Sequence, residues 1–409
     1  MPASDAVTVA ETVAPVAVVE VPTAGEFPAV AGVRPDGTRV RRAWLLVRSG
    51  VRPVGTLVLD VPVEGLTASQ VGAAVRARFP SPPDPLPSTV DLVPPAVVIC
   101  TRGRPAALAR ALASLRAQTL APVRVIVVDS GAEGGPVLAA AREADAEYLP
   151  VAAPGLARAR NAALRHCPDQ PIAWLDDDEL ADRHWLAEAA RALAQRPDAD
   201  VVCGAIIPAE LETPAQVWFE ALGGMLVGRG FTEATFGPAG RDFHPFYPRP
   251  PVGAGANMVT RPGVAERVGG FHPALGAGTP ARGGEDTLFF ALVLRAGGTV
   301  LYRPSLLTRH FHRREPAQLH MQLHGYGTGL TAMYAALVHR RPATLPSLLA
   351  LAPRALRDVA TPARTGGELA QAVPAPIRHA LRRGMLAGPL AYLRGLRALA
   401  GSDPDGAAA

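Results

Sequence analysis

Lysine is absent from this chain. All 41 basic side chains are arginine, against 36 acidic ones, for a formal net charge of +5. Spread evenly among many alanines, glycines and prolines, that bias reads as GC-rich coding rather than a basic surface. With no RNA-recognition or zinc-finger pattern, a nucleic-acid partner is not expected. Cysteine is scarce: Cys100, Cys167 and Cys203 lack CxxC spacing. An odd, sparse set argues against a disulfide framework and for a reducing compartment. No stretch reaches the roughly 18 uninterrupted apolar residues of a membrane span. The N-terminus carries Asp5 and Glu11 instead of the basic n-region of a signal peptide. A cytoplasmic protein is expected, with a peripheral position at the inner face of a membrane left open. Apolar residues make up 48% of the chain, enough for a core, and 409 residues predict two or three units.

Residues 1–37 are rich in Ala, Val and Pro without helical period and are expected to form a disordered tail. Residues 38–93 read as a small α+β module, structural or partner-docking in role. Two alternating strands flank Ser49-Gly50, a short helix lies within Leu66–Phe79, and a proline-dense linker runs over Pro80–Pro95. From residue 94 to 314 short apolar runs alternate with amphipathic helices. Strands are expected at Ala96–Cys100, Val123–Val128, Glu147–Val151, Ile172–Leu175 and Asp200–Ile206. Helices are expected at Val137–Glu143, Leu156–His166 and Asp182–Gln195. This pattern predicts an α/β, Rossmann-like, mostly parallel sheet with helices on both faces, whose ligands bind at the carboxyl ends of strands. Residues 315–409 read as helical, with a break near Gly325–Gly329. Ile377–Leu399 has a basic face interrupted at Gly388-Pro389. It either packs on the preceding domain or lies on a membrane surface.

Two acidic motifs carry the chemistry. Asp176-Asp177-Asp178 ends an apolar strand, and Glu285-Asp286 follows two glycines just before an apolar helix. A carboxylate cluster at a strand end suits a hard divalent cation whose shell is completed by a ligand's phosphates. A separate carboxylate can then act as a base. That equipment fits an enzyme moving a group off a nucleotide diphosphate. Thr101-Arg102 and Asp129-Ser130 end two further strands and converge on the same crevice.

These residues resemble family 2 glycosyltransferases of the GT-A fold, from Val97 to about Gly327. The segment Val98–Pro105 is similar to the family's opening strand and nucleotide-cradling turn, and Val127–Gly131 to its second strand. Gly155–Asn161 is similar to the helix start beside the nucleotide, and Leu175–Glu179 to the DxD element. Gly253–Met258 with Gly269-Gly270-Phe271 resembles the acceptor side, although His272-Pro273 stands where many relatives carry acidic residues. Gly283–Asp286 is similar to the base-carrying motif, and His310-Phe311-His312-Arg313 to a downstream metal-ligating histidine.

The resemblance implies an inverting glycosyltransferase taking a nucleotide-diphosphate sugar, of UDP or dTDP type, to a hydroxyl of a glycan, lipid-linked or small-molecule acceptor. Asp286 is the expected general base, with Glu285 orienting it or binding acceptor. Asp178 is the expected ligand to Mn²⁺ or Mg²⁺, and Asp176 contacts ribose or a metal-bound water. Asp177 reads as a helix cap. His310 is a candidate third ligand, better suited to Mn²⁺ than to Mg²⁺. Thr101, Arg102, Asp129, Arg160 and Asn161 are expected at the nucleotide, Arg160 at its diphosphate. A nucleotidyltransferase would want a glycine-rich triphosphate loop, whereas Arg102-Gly103-Arg104-Pro105 offers one glycine. A non-catalytic nucleotide-sugar-binding protein is the remaining alternative.

Overall fold

The computed structural model describes residues 13–80, 84, 91–131, 134–226, 228–238, 252–360 and 372–402. Most of the expected proline linker, and residues 1–12 of the expected tail, lie outside the described residues.

The first of two sheets is built from β1 (Val16–Pro22), β2 (Arg42–Ser49) and β3 (Arg52–Asp60), with β1 parallel and β3 antiparallel to β2. The expectation of a disordered tail therefore fails for Val16–Pro22. Its partner strand is distant in sequence and no turn signal announces the pairing. Helix α1 (Ala68–Arg78) starts in a capping box: the Gln70 amide donates to Thr67 Oγ1 (3.3 Å) and the Thr67 amide to Gln70 Oε1 (2.8 Å), satisfying two otherwise orphan donors. Alternate residues of β2 face opposite ways. Leu45 and Val47 pack under Val71 and Val75 of α1, while Trp44 and Leu46 join the main core.

The main domain alternates as the sequence pattern predicts, through β4 (Ala96–Thr101), α2 (Pro105–Arg116), β5 (Val125–Asp129), α3 (Gly135–Glu143), β6 (Glu147–Pro150), α4 (Leu156–His166) and β7 (Ile172–Asp176). It continues through β8 (Glu179–Ala181), α5 (Trp185–Gln195), β9 (Val201–Pro208), α6 (Pro214–Ala221), β10 (Ala234–Phe236), β11 (Asn257–Thr260), α7 (Val264–Val268), α8 (Glu285–Arg295) and β12 (Val300–His310). The nine strands run in the order β10-β12-β9-β11-β7-β4-β5-β6, with β8 paired to β12. Neighbours β4, β5, β6 and β7 are parallel, as are β9 and β12; β11 is inserted antiparallel to both β7 and β9. Helices cover both faces: Leu108, Val137 and Trp185 pack on the Val97, Ile99 and Leu175 side. Ala157, Ala163 and Phe289 pack on the Val98, Cys100 and Trp174 side.

A bulge in β12 aims the end of that strand. Its register against β9 shifts between Arg303 and Leu307, and Asn257 Nδ2 donates to the carbonyls of Leu306 (2.8 Å) and Ala205 (3.0 Å). A Cβ on Gly204 would lie 1.7 Å from Leu306 O, so only glycine admits this crossing. Beyond the bulge β12 pairs with β8, His310 opposite Glu179. Asp182 precedes α5 rather than opening it. Its carboxylate accepts from the His184 amide (3.1 Å) and from Arg48 Nη1 of β2 (2.7 Å), which ties the first sheet to the main domain.

The chain ends in α9 (Pro316–Arg340), α10 (Leu345–Ala360), α11 (Ala375–Arg378) and α12 (Ala380–Ser402). Neither expected interruption occurs: α9 runs unbroken through Gly325–Gly329, and α12 through Gly388-Pro389. The glycines are there for close approach rather than for a break. A Cβ on Gly329 would sit 2.5 Å from the Gly283 carbonyl carbon, and one on Gly327 would sit 1.9 Å from Leu381 O. Gly329→Ala is expected to destabilise the fold by about 1–3 kcal/mol or more, since backbone on both sides cannot yield. Chemical denaturation giving an unchanged midpoint would contradict this packing.

Candidate active site

Strand ends, not loops, position the acidic groups. Asp176 closes β7, and Asp177 and Asp178 form the turn into β8. Asp177 and Asp178 are both buried and both meet the Arg104 guanidinium, whereas Asp176 is half-buried and meets Arg160. Asp177 caps no helix, contrary to expectation. Thr101 Oγ1 at the end of β4 donates to its Oδ2 (2.7 Å), and Arg104 Nη2 lies 2.8 Å from its Oδ1. Burial, opposed by Arg104, lifts the Asp177 carboxyl to about 7. Thr101, expected at the nucleotide, thus has its hydroxyl committed to this acid.

Asp178 Oδ2 accepts from Arg104 Nη1 (2.9 Å) and Arg313 Nη2 (3.3 Å), and its Oδ1 faces His310 Nε2 at 3.6 Å. Burial works against ionisation, yet His310 and the two arginines hold this carboxyl below its ordinary range. The β12–β8 register, with the Phe311 amide donating to Asp178 O (3.0 Å), brings His310 to this acid. Neither arginine was singled out in the sequence; each sits in a motif read for other residues.

A chain of hydrogen bonds fixes the His310 ring. Glu220 Oε1 lies 2.8 Å from His312 Nε2, and His312 Nδ1 lies 2.8 Å from His310 Nδ1. A carboxylate accepts, so His312 Nε2 carries a proton, and in a neutral ring its Nδ1 is the acceptor. His310 Nδ1 must then donate, which assigns its Nε2 as a bare lone pair facing Asp178. Burial pushes His310 down to about 4 despite Asp178, so the ring is neutral near pH 7. One carboxylate oxygen and one imidazole lone pair, the latter oriented by a second residue, fit a divalent cation whose remaining ligands come from phosphates. Among the described residues no three His, Cys, Asp or Glu side chains group as a metal-holding cluster.

The Glu285–Asp286 motif opens α8. Gly284, at φ 88°, turns the chain into the helix, where a Cβ would meet Gly329 O at 2.3 Å. Glu285 is buried and accepts from Arg160 Nη1 (3.0 Å), and Arg160 Nη2 lies 3.4 Å from Asp176 Oδ1. Arg160 is 2% exposed and lies over the Phe271 ring, 5.4 Å from its centroid. Phe271 in turn stacks on Phe289 of α8 at 4.5 Å. Arg160, expected at a diphosphate, has its guanidinium committed to these two acids as a buried strut between the two acidic motifs. Asn161, expected at the nucleotide, likewise has its side-chain amide committed within the protein. It exchanges hydrogen bonds with the Phe271 backbone, Nδ2 to O (2.7 Å) and N to Oδ1 (2.9 Å), clamping α4 to the Gly269–Phe271 turn.

Asp286 differs from its neighbours. Its Oδ2 accepts from the Gly255 amide (2.8 Å) and its Oδ1 from the Thr287 amide (2.7 Å) and hydroxyl (3.2 Å). Asp176, Asp177, Asp178 and Glu285 each meet an arginine, whereas Asp286 pairs with no cation among the described residues. Burial and then the Asp286 charge, opposed by Arg160, raise Glu285 to about 7. On the far side of the crevice Asp129 Oδ1 accepts from the Gly131 amide (2.9 Å) and its Oδ2 from Tyr148 Oη (3.0 Å), which itself accepts from the Gly134 amide (3.0 Å). Asp129 thus braces the loop after β5. Arg102 is exposed at the end of β4; a Cβ on Gly278 would lie 3.6 Å from its Nη1.

Residues 96–267 match the family model described as glycosyl transferase family 2. No curated protein matches the chain. Among solved structures it is similar to the mannosyltransferase PcManGT from Pyrobaculum calidifontis in complex with GDP-Man and Mn²⁺, at 19% identity and a TM-score of 0.42, over 78% of this chain and 79% of that one. It is similar to S. aureus TarS at 15% identity and a TM-score of 0.39, over 74% and 55% of the respective chains. It is also similar to glucosyl-3-phosphoglycerate synthase from Mycobacterium tuberculosis in complex with phosphoglyceric acid, at 14% identity and a TM-score of 0.38, over 60% and 78%.

The histidine chain has a direct signature. In ¹⁵N-edited histidine spectra His310 is expected as the Nδ1–H tautomer, neutral until the pH falls to about 4. Its folded pKa lies below the ordinary value, so the unfolded chain protonates first. The stability held by this group is whole above about pH 6.5 and drains as the pH falls toward 4. Glu220→Leu is expected to mix the two tautomers. A ring titrating near 6.5, or an unaltered tautomer in that variant, would contradict the assignment.

Proposed function

We propose that this chain, whose residues 96–267 match the family model of glycosyl transferase family 2, transfers a glycosyl group, with inversion, from a nucleotide-diphosphate sugar to an acceptor hydroxyl. The observation that carries this reading is the unpaired state of Asp286. Among the described residues it is the one of the five carboxylates in the two motifs with no ion-pair partner, and it is half-buried at the first turn of α8 while Glu285 is buried. A base must be reachable and must not have its negative charge already neutralised.

In the proposed reaction the acceptor hydroxyl gives its proton to an Asp286 oxygen as the hydroxyl oxygen attacks the anomeric carbon. The bond from that carbon to the diphosphate breaks on the opposite face, so no covalent intermediate on the protein is needed. The Gly255 and Thr287 amides hold the carboxylate in place. Arg160 keeps Glu285 and Asp176 fixed on either side of the reacting region, and Asp176 meets the ribose. Arg102 and the loop braced by Asp129 and Tyr148 form the nucleotide side. A divalent cation, Mn²⁺ or Mg²⁺, would be held by Asp178 and His310 and would neutralise charge on the diphosphate. UDP and dTDP donors are equally compatible with these residues.

Asp286→Asn tests the reading. Asparagine is nearly isosteric with aspartate, and its Oδ1 still accepts one of the two amide hydrogen bonds, but it cannot accept the proton. Turnover at saturating donor is expected to fall by about 10²–10⁴-fold, with nucleotide and Mn²⁺ affinity by calorimetry unchanged. Turnover surviving within a few-fold would make Asp286 a plain capping residue.

A further inference from the structure

Helix α12 has two faces of opposite character. The inner face is small and lies against α9: a Cβ on Gly384 would sit 2.0 Å from His324 O, and one on Gly388 would sit 1.9 Å from Thr331 Oγ1. Thr331 Oγ1 also donates to Met385 O (2.7 Å). Packing this close leaves no freedom for α12 to roll, so its outer face is fixed. That face presents Leu386, Leu390 and Leu393 at 86%, 51% and 52% exposure, the i, i+4, i+7 spacing of one helical stripe. Exposed Arg382, Arg383, Arg394 and Arg397 flank the stripe, and residues 380–402 contain no Asp or Glu.

We propose that this face docks on an anionic lipid bilayer, the leucines entering the acyl boundary and the arginines meeting lipid phosphates. The charge pattern selects this occupant. Four guanidiniums with no intervening carboxylate complement a negative surface, and an apolar stripe between them suits a helix lying in the interface plane. Among the described residues no helix is long and apolar enough to cross a membrane, so the contact is peripheral.

The stripe is also coupled to the chemistry. Gly329 of α9 presses on Gly283-Gly284 at the start of α8, and Gly327 of α9 presses on α12. Helix α12 is therefore joined to the start of α8 through a single helix, α9, with axes about 8–10 Å apart per layer, and the leucine stripe lies on the side of α12 away from α9.

Co-sedimentation of the full chain with vesicles tests the docking without donor or acceptor. Vesicles containing phosphatidylglycerol are expected to retain it about 10-fold or more above pure phosphatidylcholine, and less at high salt. The triple variant Leu386→Ser, Leu390→Ser, Leu393→Ser is expected to lose about 10-fold of that retention. Arg382→Glu with Arg383→Glu gives a second reading should the triple variant fail to fold. Thermal stabilisation by a nucleotide diphosphate with Mn²⁺ is expected to be unchanged in each. Equal retention on neutral vesicles, or retention unaltered in the variants, would overturn the docking, as would concentration-dependent self-association through the stripe in place of lipid binding. Loss of the nucleotide effect in the parent chain would instead overturn the transfer reading and leave the docking standing.

Discussion

Arg160 lies, itself buried, between a carboxylate at the end of β7 and another in the first turn of α8. A guanidinium held this way couples two segments more than a hundred residues apart in sequence. Its planar fork offers separate N–H groups to Glu285 and Asp176, a geometry an ammonium would not match. Phe271 beneath it links the same strut to α8, and Asn161, on the next position of α4, pins the turn that carries Phe271. Removing one member of such a buried set is costly because the others remain charged and unpaired. The crevice keeps its shape because these groups cannot part.

Around the strut, two tightly packed devices aim the remaining groups. The bulge in β12, admitted by Gly204, swings His310 to Asp178, and the Glu220–His312 chain orients its ring. The glycines of α9 let three helices approach at backbone distance, so α8 is held from behind while Arg160 holds it from the front. Both devices use residues that supply no chemistry themselves.

The parallel half of the sheet was legible because each strand–helix repeat is local. The apolar run and its amphipathic partner adjoin in sequence, as for Leu156–His166. Pairings made at a distance were not legible: β1 joins β2 across an irregular stretch, and β11 slips antiparallel between β7 and β9. At the site, the apolar strand ending at Asp176 could be read directly, but strand periodicity stops there: Asp177 and Asp178 lie in a turn and share Arg104. The roles of Arg160 and Asn161 could not, because helical spacing does not say which side of α4 meets the core and which meets the crevice. Arg104 and Arg313 escaped notice for a related reason: exposed arginines are common here, and only the fold shows two of them converging on one carboxylate. Glycines at Gly325–Gly329 looked like a break because glycine weakens an isolated helix; tertiary packing reversed that preference.

The claim that one buried cation couples the two acidic motifs is tested most directly by a double-mutant cycle on folding free energy. The cycle would use Arg160→Met, Glu285→Gln and their combination, at a pH of about 8 where Glu285, raised to about 7, is ionised. Each single substitution should destabilise the chain, and the double variant should lose clearly less than their sum, with a coupling of about 1–3 kcal/mol. Losses that simply add, to within about 0.5 kcal/mol, would mean that the two groups act independently and that the crevice is held by something other than this strut.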